Sequence, residues 1–381
     1  MSIKDDVWRI AKPVARVLLP HWHASGCALS PAEAQAAVCA SSYLPHTLYS
    51  TDDSSVQFSP LVPDALDLSV VVPVYNAEAF LEKCIGSLAT QYTQYRFEII
   101  VVNDGSTDRS AEILTALSQK YTRLKIITQE NQGISAARNT GIACACGHYL
   151  SFVDNDDFVA PWFIDTLLTK AKSESADIVK CGYRIFDETM HGVVGQIQNE
   201  DAVLCGEMGV QAARYNGFVW GCMFRRSLFA DIRFPDGFWY EDMITRMLLM
   251  RKCRCFVSLH AALYTHTEHS GNASKTIWNS SEIKCLDQCF LPAALAHYGE
   301  CIGLGCDNGL YPVLLEEFGI QLRTRTSELP DSLRKAAFVL ACQCLDTYRP
   351  QNTSPLTEQE TLLDDAFANR NEWKWALCCL L

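Results

Sequence analysis

The spacing of apolar residues changes near residue 67 and divides the chain. Before it, Val7, Ile10, Val14, Val17 and Leu18 recur at helical intervals, interrupted by Pro13. Residues 50–66 are rich in Ser, Asp and Pro, the composition of a linker. From Leu68 to Val74 nearly every residue is apolar, as in a strand buried on both faces. Phe80, Leu81, Cys84, Ile85 and Leu88 then follow helical spacing. The alternation repeats with a strand over Phe97–Val102, a helix bearing Ile113, Leu114 and Leu117, and a strand over Leu124–Thr128. A helix of small residues runs from Gly133 to about Cys146, and a fourth strand spans Tyr149–Val153. Further on, Trp220–Phe229 reads as a loop or short strand, Phe234–Arg251 as leading into a helix, and Cys255–Leu259 as another strand. From about Ser280 the pattern is helical, as in Ala336, Val339, Leu340 and Cys344.

Strands alternating with helices predict an α/β fold with a mainly parallel central sheet and right-handed crossovers, followed by a helical C-terminal region. The expected division is an N-terminal extension and linker over 1–66, an α/β domain over 67–275 and a helical region over 276–381. In such sheets ligands sit beyond the carboxyl ends of the strands. Three predicted strand ends carry polar or acidic groups: Asn76 with Glu78, Asp104, and the run Asp154-Asn155-Asp156-Asp157. Their convergence on one rim predicts the site.

Composition narrows the partners. Apolar residues make up 49% of the 381 and charged residues 20%, which suits an ordinary packed core. A net charge of −12 argues against a nucleic acid, which needs clustered Lys and Arg. The 18 cysteines include close pairs such as Cys253 with Cys255, but none at C-x-x-C spacing. They read as reduced, mostly buried thiols of a cytoplasmic protein. No stretch reaches the ~20 apolar residues that span a bilayer. Lys4, Arg9, Lys12 and Arg16 allow at most peripheral contact at the inner face of a membrane.

Neither a G-x-G-x-x-G turn nor a Walker-type lysine loop follows the first strand, so bound phosphates would need a metal. Two carboxylates at alternate positions, Asp154 and Asp156, suit Mg2+ or Mn2+, which prefer oxygen ligands and leave sites for phosphates.

Four segments resemble the family-2 glycosyltransferases of the GT-A fold. They are V-V-V-P-V-Y-N-A-E within Ser69–Gln91, V-N-D-G-S-T-D at Val102–Asp108, N-Q-G-I-S-A-A-R-N at Asn131–Asn139 and F-V-D-N-D-D at Phe152–Asp157. The resemblance covers roughly residues 67–275 and implies transfer of a sugar from a nucleotide donor, UDP foremost, to a glycan or lipid-linked glycan hydroxyl. It implies that Pro73, Tyr75 and Glu78 line the nucleoside pocket, and that Asp104 accepts a hydrogen bond from base or ribose. Arg138 would help hold the donor, Asp154 would sit by the ribose, and Asp156 would be the principal metal ligand. In F-P-D-G-F-W-Y-E-D-M, Asp242 would be the base of an inverting displacement and Glu241 would position the acceptor, or the two would exchange roles. The segment Tyr264–Gly271 resembles a loop closing over the diphosphate, with His269 as a further metal ligand or phosphate contact. Family members often carry a lysine where Cys222 stands and a basic residue where Thr267 stands, so positive charge is missing at both positions. The alternative to an active transferase is a GT-A-fold module that binds a partner without catalysis. A sugar nucleotidyltransferase would need a Gly-rich basic loop where Pro73-Val74-Tyr75-Asn76 stands.

Overall fold

The computed structural model describes residues 29–41, 66–206, 215–272, 282–305, 309–350 and 356–379. The helical segment expected over 7–18 lies outside them, as does all but the last residue of the expected linker. The chain forms two compact units. Among the described residues, 66–206 and 215–272 make one, and 29–41 with 282–379 make the other.

The α/β unit is built on one ten-stranded sheet. Strands β1 (Leu68–Val74), β2 (Phe97–Asp104), β3 (Leu124–Gln129) and β4 (Tyr149–Phe152) run parallel in the order β3-β2-β1-β4. Every residue of β1 and β2 is buried, because helices cover the sheet and leave no polar face. One is α2 (Leu81–Ala89), which buries Leu81, Cys84, Ile85 and Leu88. It follows α1 (Pro31–Ala40) and precedes α3 (Ser110–Lys120), α4 (Ile134–Cys144) and α5 (Phe163–Ser173). Helix α4 lies close on β1: a Cβ added at Gly141 would stand 2.3 Å from Val71 Cγ1. That approach fixes the helix, and with it Arg138 one turn earlier.

Beyond β4 the sheet turns mixed. Four strands of this part, β5 (Phe158–Val159), β6 (Ile178–Asp187), β7 (Gly192–Ile197) and β8 (Ala202–Cys205), were not predicted. Strand β9 (Cys222–Arg225) is antiparallel to β4 and to β6. Strand β10 (Cys255–Glu268) is parallel to β6 and antiparallel to β5 and β8. The predicted strand at Cys255–Leu259 is therefore only the start of a 14-residue element. Its register shifts between Leu259 and Tyr264, and its far half carries Thr, His and Glu, which masks the strand pattern. The helix expected after Phe234 forms over 241–252 as one unbroken run that changes type: 3-10 over Glu241–Met243, π over Thr245–Leu249 and α over Met250–Lys252.

In the second unit the described helices are α1, α6 (Asp287–Cys301), α7 (Leu310–Glu316), α8 (Asp331–Tyr348), α9 (Glu358–Ala368) and α10 (Glu372–Cys378), with a π turn and the short helix Leu322–Arg325 after α7. Helix α1, with a Ser30–Glu33 capping box, packs on α8, so this part of the N-terminal extension belongs with the C-terminal helices. Phe338, Phe367 and Trp375 stack in the core, and Trp375 Nε1 donates to Gly319 O at 3.0 Å. No helix among the described residues is long and apolar enough to cross a membrane.

Candidate active site

Two loops form the floor at the ends of β1 and β2. Asn76 sits at φ 47°, a left-handed conformation that Asn tolerates better than most residues. Its side-chain oxygen accepts from Thr107 N (2.8 Å), Thr107 Oγ1 and Asp108 N. In return, the Asp108 carboxylate accepts from Glu78 N, and Glu78 accepts from Arg109 N at 2.9 Å. Tyr75 projects from this floor with 47% of its surface exposed, whereas Pro73 is buried and its carbonyl accepts from Asn155 Nδ2 at 3.0 Å.

Asp104 is buried at the end of β2. Its carboxylate accepts from Gln129 Nε2 (2.8 Å), Gln132 N (3.0 Å) and Gly133 N (2.8 Å). It therefore holds the turn that opens α4, with negative charge at the helix's positive end. Gly133 at φ 90° and Gly105 at φ 71° make these turns feasible. A Cβ at Gly105 would also meet Asn131 N at 2.8 Å.

Arg138, on α4, joins the two halves of the rim. Its guanidinium donates to Asp154 Oδ1 at 2.9 Å, beyond β4, and to Glu241 Oε1 at 2.5 Å, on the Glu241–Met243 turn. Burial works against its charge, but the two carboxylates outweigh burial and hold it more firmly protonated than usual. Asp154, Arg138 and Glu241 thus meet at one point, with Asp242 the next residue along. Tyr240, just before, sits at φ 66°, a strained conformation for an aromatic residue and one that occurs where a site demands it.

Asp156 faces a second cluster. Its Oδ2 accepts from His269 Nε2 at 2.9 Å and Asn272 Nδ2 at 3.3 Å. Burial first, then the neighbouring Asp154 charge, push its pKa up despite His269. The His269 ring packs on Phe80, with centroids 4.5 Å apart.

Asp157 is fully committed to the fold. It accepts from Tyr264 Oη (2.6 Å) and Thr267 N (2.7 Å), and His266 Nδ1 approaches within 3.3 Å. Burial pushes its pKa up to about 6. Trp220 stacks on Tyr264 at 4.7 Å and on Phe218 at 4.4 Å, and lies parallel to His266. Sequence reasoning placed Asp157 in the acidic run and Tyr264 and His266 in the 264–271 segment without a role for any of them, and gave none to Asn272 or Trp220. The period-two placement of Tyr264 and His266 on a strand was the available signal. Thr267 is itself buried, and its main chain serves Asp157 and Asn272.

A divalent cation fits part of this arrangement. Among the described residues no cluster of three or more His, Cys, Asp or Glu side chains is spaced to hold one. Asp156 suits the role, since a cation would offset both causes of its raised pKa. His269 Nε2 stands beside it, but Nδ1 accepts from Gly271 N at 3.1 Å, so Nε2 carries the ring proton. Ligation through Nε2 would cost that hydrogen bond. A cation here would take most ligands from water and bound phosphate, as Mg2+ and Mn2+ commonly do.

Residues 69–232 match the family described as glycosyl transferase family 2. Over 230 residues the chain is 34% identical to glycosyltransferase GlyA of Streptococcus pneumoniae serotype 4, a match covering 58% of this chain but only 33% of GlyA. It is 31% identical over 228 residues to glycosyltransferase GlyG of the same organism, covering 56% of this chain and 75% of GlyG. The crystal structure of Staphylococcus aureus TarS 1–349 in complex with UDP-GlcNAc aligns with a TM-score of 0.52 at 19% identity. The alignment covers 80% of this chain and 92% of that one, a likeness of fold. Family match, coverage of GlyG and an α/β sheet with an acid-lined rim together establish that this chain belongs to the family-2 glycosyltransferases and has their GT-A fold.

Proposed function

We propose that the protein transfers a sugar from a nucleotide donor to an acceptor hydroxyl with inversion at the anomeric carbon. The observation that carries the proposal is Arg138, whose one guanidinium binds both Asp154 at the donor-side strand end and Glu241 beside the expected base. Donor and acceptor machinery must sit within one small molecule's reach for direct displacement, and this clasp supports that proximity.

The same contact supports one division of roles within the Glu-Asp pair. Glu241 accepts from Arg138 at 2.5 Å, so it anchors the turn. Asp242 takes the acceptor proton as the acceptor oxygen attacks the anomeric carbon and the bond to the diphosphate breaks. Tyr75 is exposed where a base could stack, above the Asn76–Asp108 floor, and Pro73 and Glu78 help form that floor. Asp104 acts by setting the 129–133 turn beside the nucleoside pocket. Asp156 and His269 would hold a divalent cation, Mn2+ or Mg2+, which when bound neutralises charge on the leaving diphosphate. UDP is the first donor nucleotide to test, since TarS of the same fold has been crystallised with UDP-GlcNAc. An acceptor from cell-surface polysaccharide or glycolipid assembly rests on family membership alone.

The test is nucleoside diphosphate release by purified protein from a panel of nucleotide sugars, with and without Mn2+. Release that needs Asp242 and the cation supports the reading. Tight nucleotide binding without release from any donor and acceptor would point instead to a non-catalytic binding module.

A further inference from the structure

Lys180 lies on β6, one of the strands that was not predicted, directly opposite Cys222 on β9 and Ser258 on β10. It is 2% exposed. Its ammonium donates to Phe218 O at 3.2 Å and approaches Cys222 Sγ at 3.3 Å. Among the described residues no carboxylate pairs with it. A buried ammonium satisfied only by a carbonyl and a thiol is costly, and an apolar side chain there would serve stability better. Something other than stability accounts for it.

The segment it holds touches both halves of the site. A Cβ on Gly217 would stand 3.2 Å from Arg246 Cδ and 3.9 Å from Asp242 O, so this backbone lies against the turn carrying Glu241 and Asp242. Phe218, the next residue, offers Lys180 its carbonyl and stacks on Trp220. Trp220 in turn stacks on Tyr264 and lies parallel to His266, the two side chains that grip Asp157 beside Asp156. The charge absent from position 222 therefore stands on the neighbouring strand, with its nitrogen beside the Cys222 sulfur.

We propose that Lys180 is a positioning residue for the transfer reaction. Its ammonium fixes the 217–222 segment, and through that segment sets the Asp242 turn and the aromatic clamp on Asp157. The proposal rests on the transferase reading for its effect on turnover, and on the fold alone for its effect on local order.

The experiment compares the full chain with Lys180→Met and with the double variant Lys180→Met/Cys222→Lys, which returns the charge across the strand pair. Nucleoside diphosphate release, thermal midpoint and hydrogen exchange by mass spectrometry are read on all three. In Lys180→Met the midpoint is expected to hold or rise. Amides of 216–222 and 240–246 should exchange faster, and kcat should fall by about tenfold to a hundredfold, the cost of slight misplacement of reacting groups, with donor KM little changed. The double variant should recover most of both losses. Unchanged exchange in those two segments would overturn the proposal, as would a lowered midpoint without recovery in the double variant. If the parent releases no nucleotide from any donor, the transferase reading fails, and the exchange comparison still decides the role of Lys180.

Discussion

Replacing Arg138 by Met removes the cation that Asp154 and Glu241 share. The guanidinium side chain is 3% exposed, and the carboxylate side chains are 25% and 16% exposed. Removing one partner of a buried pair typically costs 3–5 kcal/mol, because the remaining charge is stranded. Water reaches both carboxylates in part, which places the loss near the lower end, about 3 kcal/mol. For a unit of roughly 200 residues that corresponds to a fall in thermal midpoint of about 6–12 °C. The assay is thermal unfolding followed at the α/β unit, alongside nucleoside diphosphate release. A control separates charge from packing: Arg138→Met/Asp154→Asn/Glu241→Gln removes all three charges together. A triad neutralised as a group is often close to neutral in stability. The triple variant should therefore regain most of the midpoint while staying inactive. If Arg138→Met loses under about 0.5 kcal/mol, within the scatter of surface changes, the clasp contributes little energy and the reasoning fails. If the triple variant is as unstable as the single one, shape rather than charge explains the loss.

Asp156→Asn should abolish Mn2+-dependent release. Because its folded pKa is raised, the parent gains relative stability below the unfolded value near 3.9 and loses it as pH rises through the folded value. The variant should therefore unfold at a slightly higher midpoint than the parent at pH 7, with the gap closing toward pH 4. A lower midpoint at pH 7 would contradict the stated cause. Asp242→Asn should lower kcat by about 10²–10⁴, the range of lost general-base catalysis, while nucleotide affinity measured calorimetrically stays within about twofold. Asp104→Asn should cost about 2 kcal/mol, since an amide cannot accept from all three of its donors, and should weaken nucleotide binding by disordering the 129–133 turn. An unchanged urea midpoint would show that those bonds carry little.

The sequence made the β1–β4 half legible because β1, β2 and β4 are buried on both faces and end in polar turns. The mixed half was not, since β6 to β8 are partly exposed and short-patterned, and β10 carries its irregularity in the middle. Candidate acids could be named, but their division of labour could not. Asp154, Asp156 and Asp157 are near neighbours in sequence, yet one meets Arg138, one meets His269 and one serves β10. Arg138 and Glu241 lie 103 positions apart, and no local periodicity encodes their contact. The missing basic residues at 222 and 267 read, from sequence, as positive charge absent from the site. The structure shows both positions buried, with a lysine across the strand from one of them.

The cross-bonding of Asn76, Glu78 and Asp108 determines when the floor of the proposed nucleoside pocket becomes ordered. Its two loops already satisfy one another's amides, so the entropic cost of ordering them is met during folding rather than on encounter. A ligand arriving at that floor should meet a rigid surface, and its capture should follow a single concentration-dependent phase without a slow isomerisation behind it.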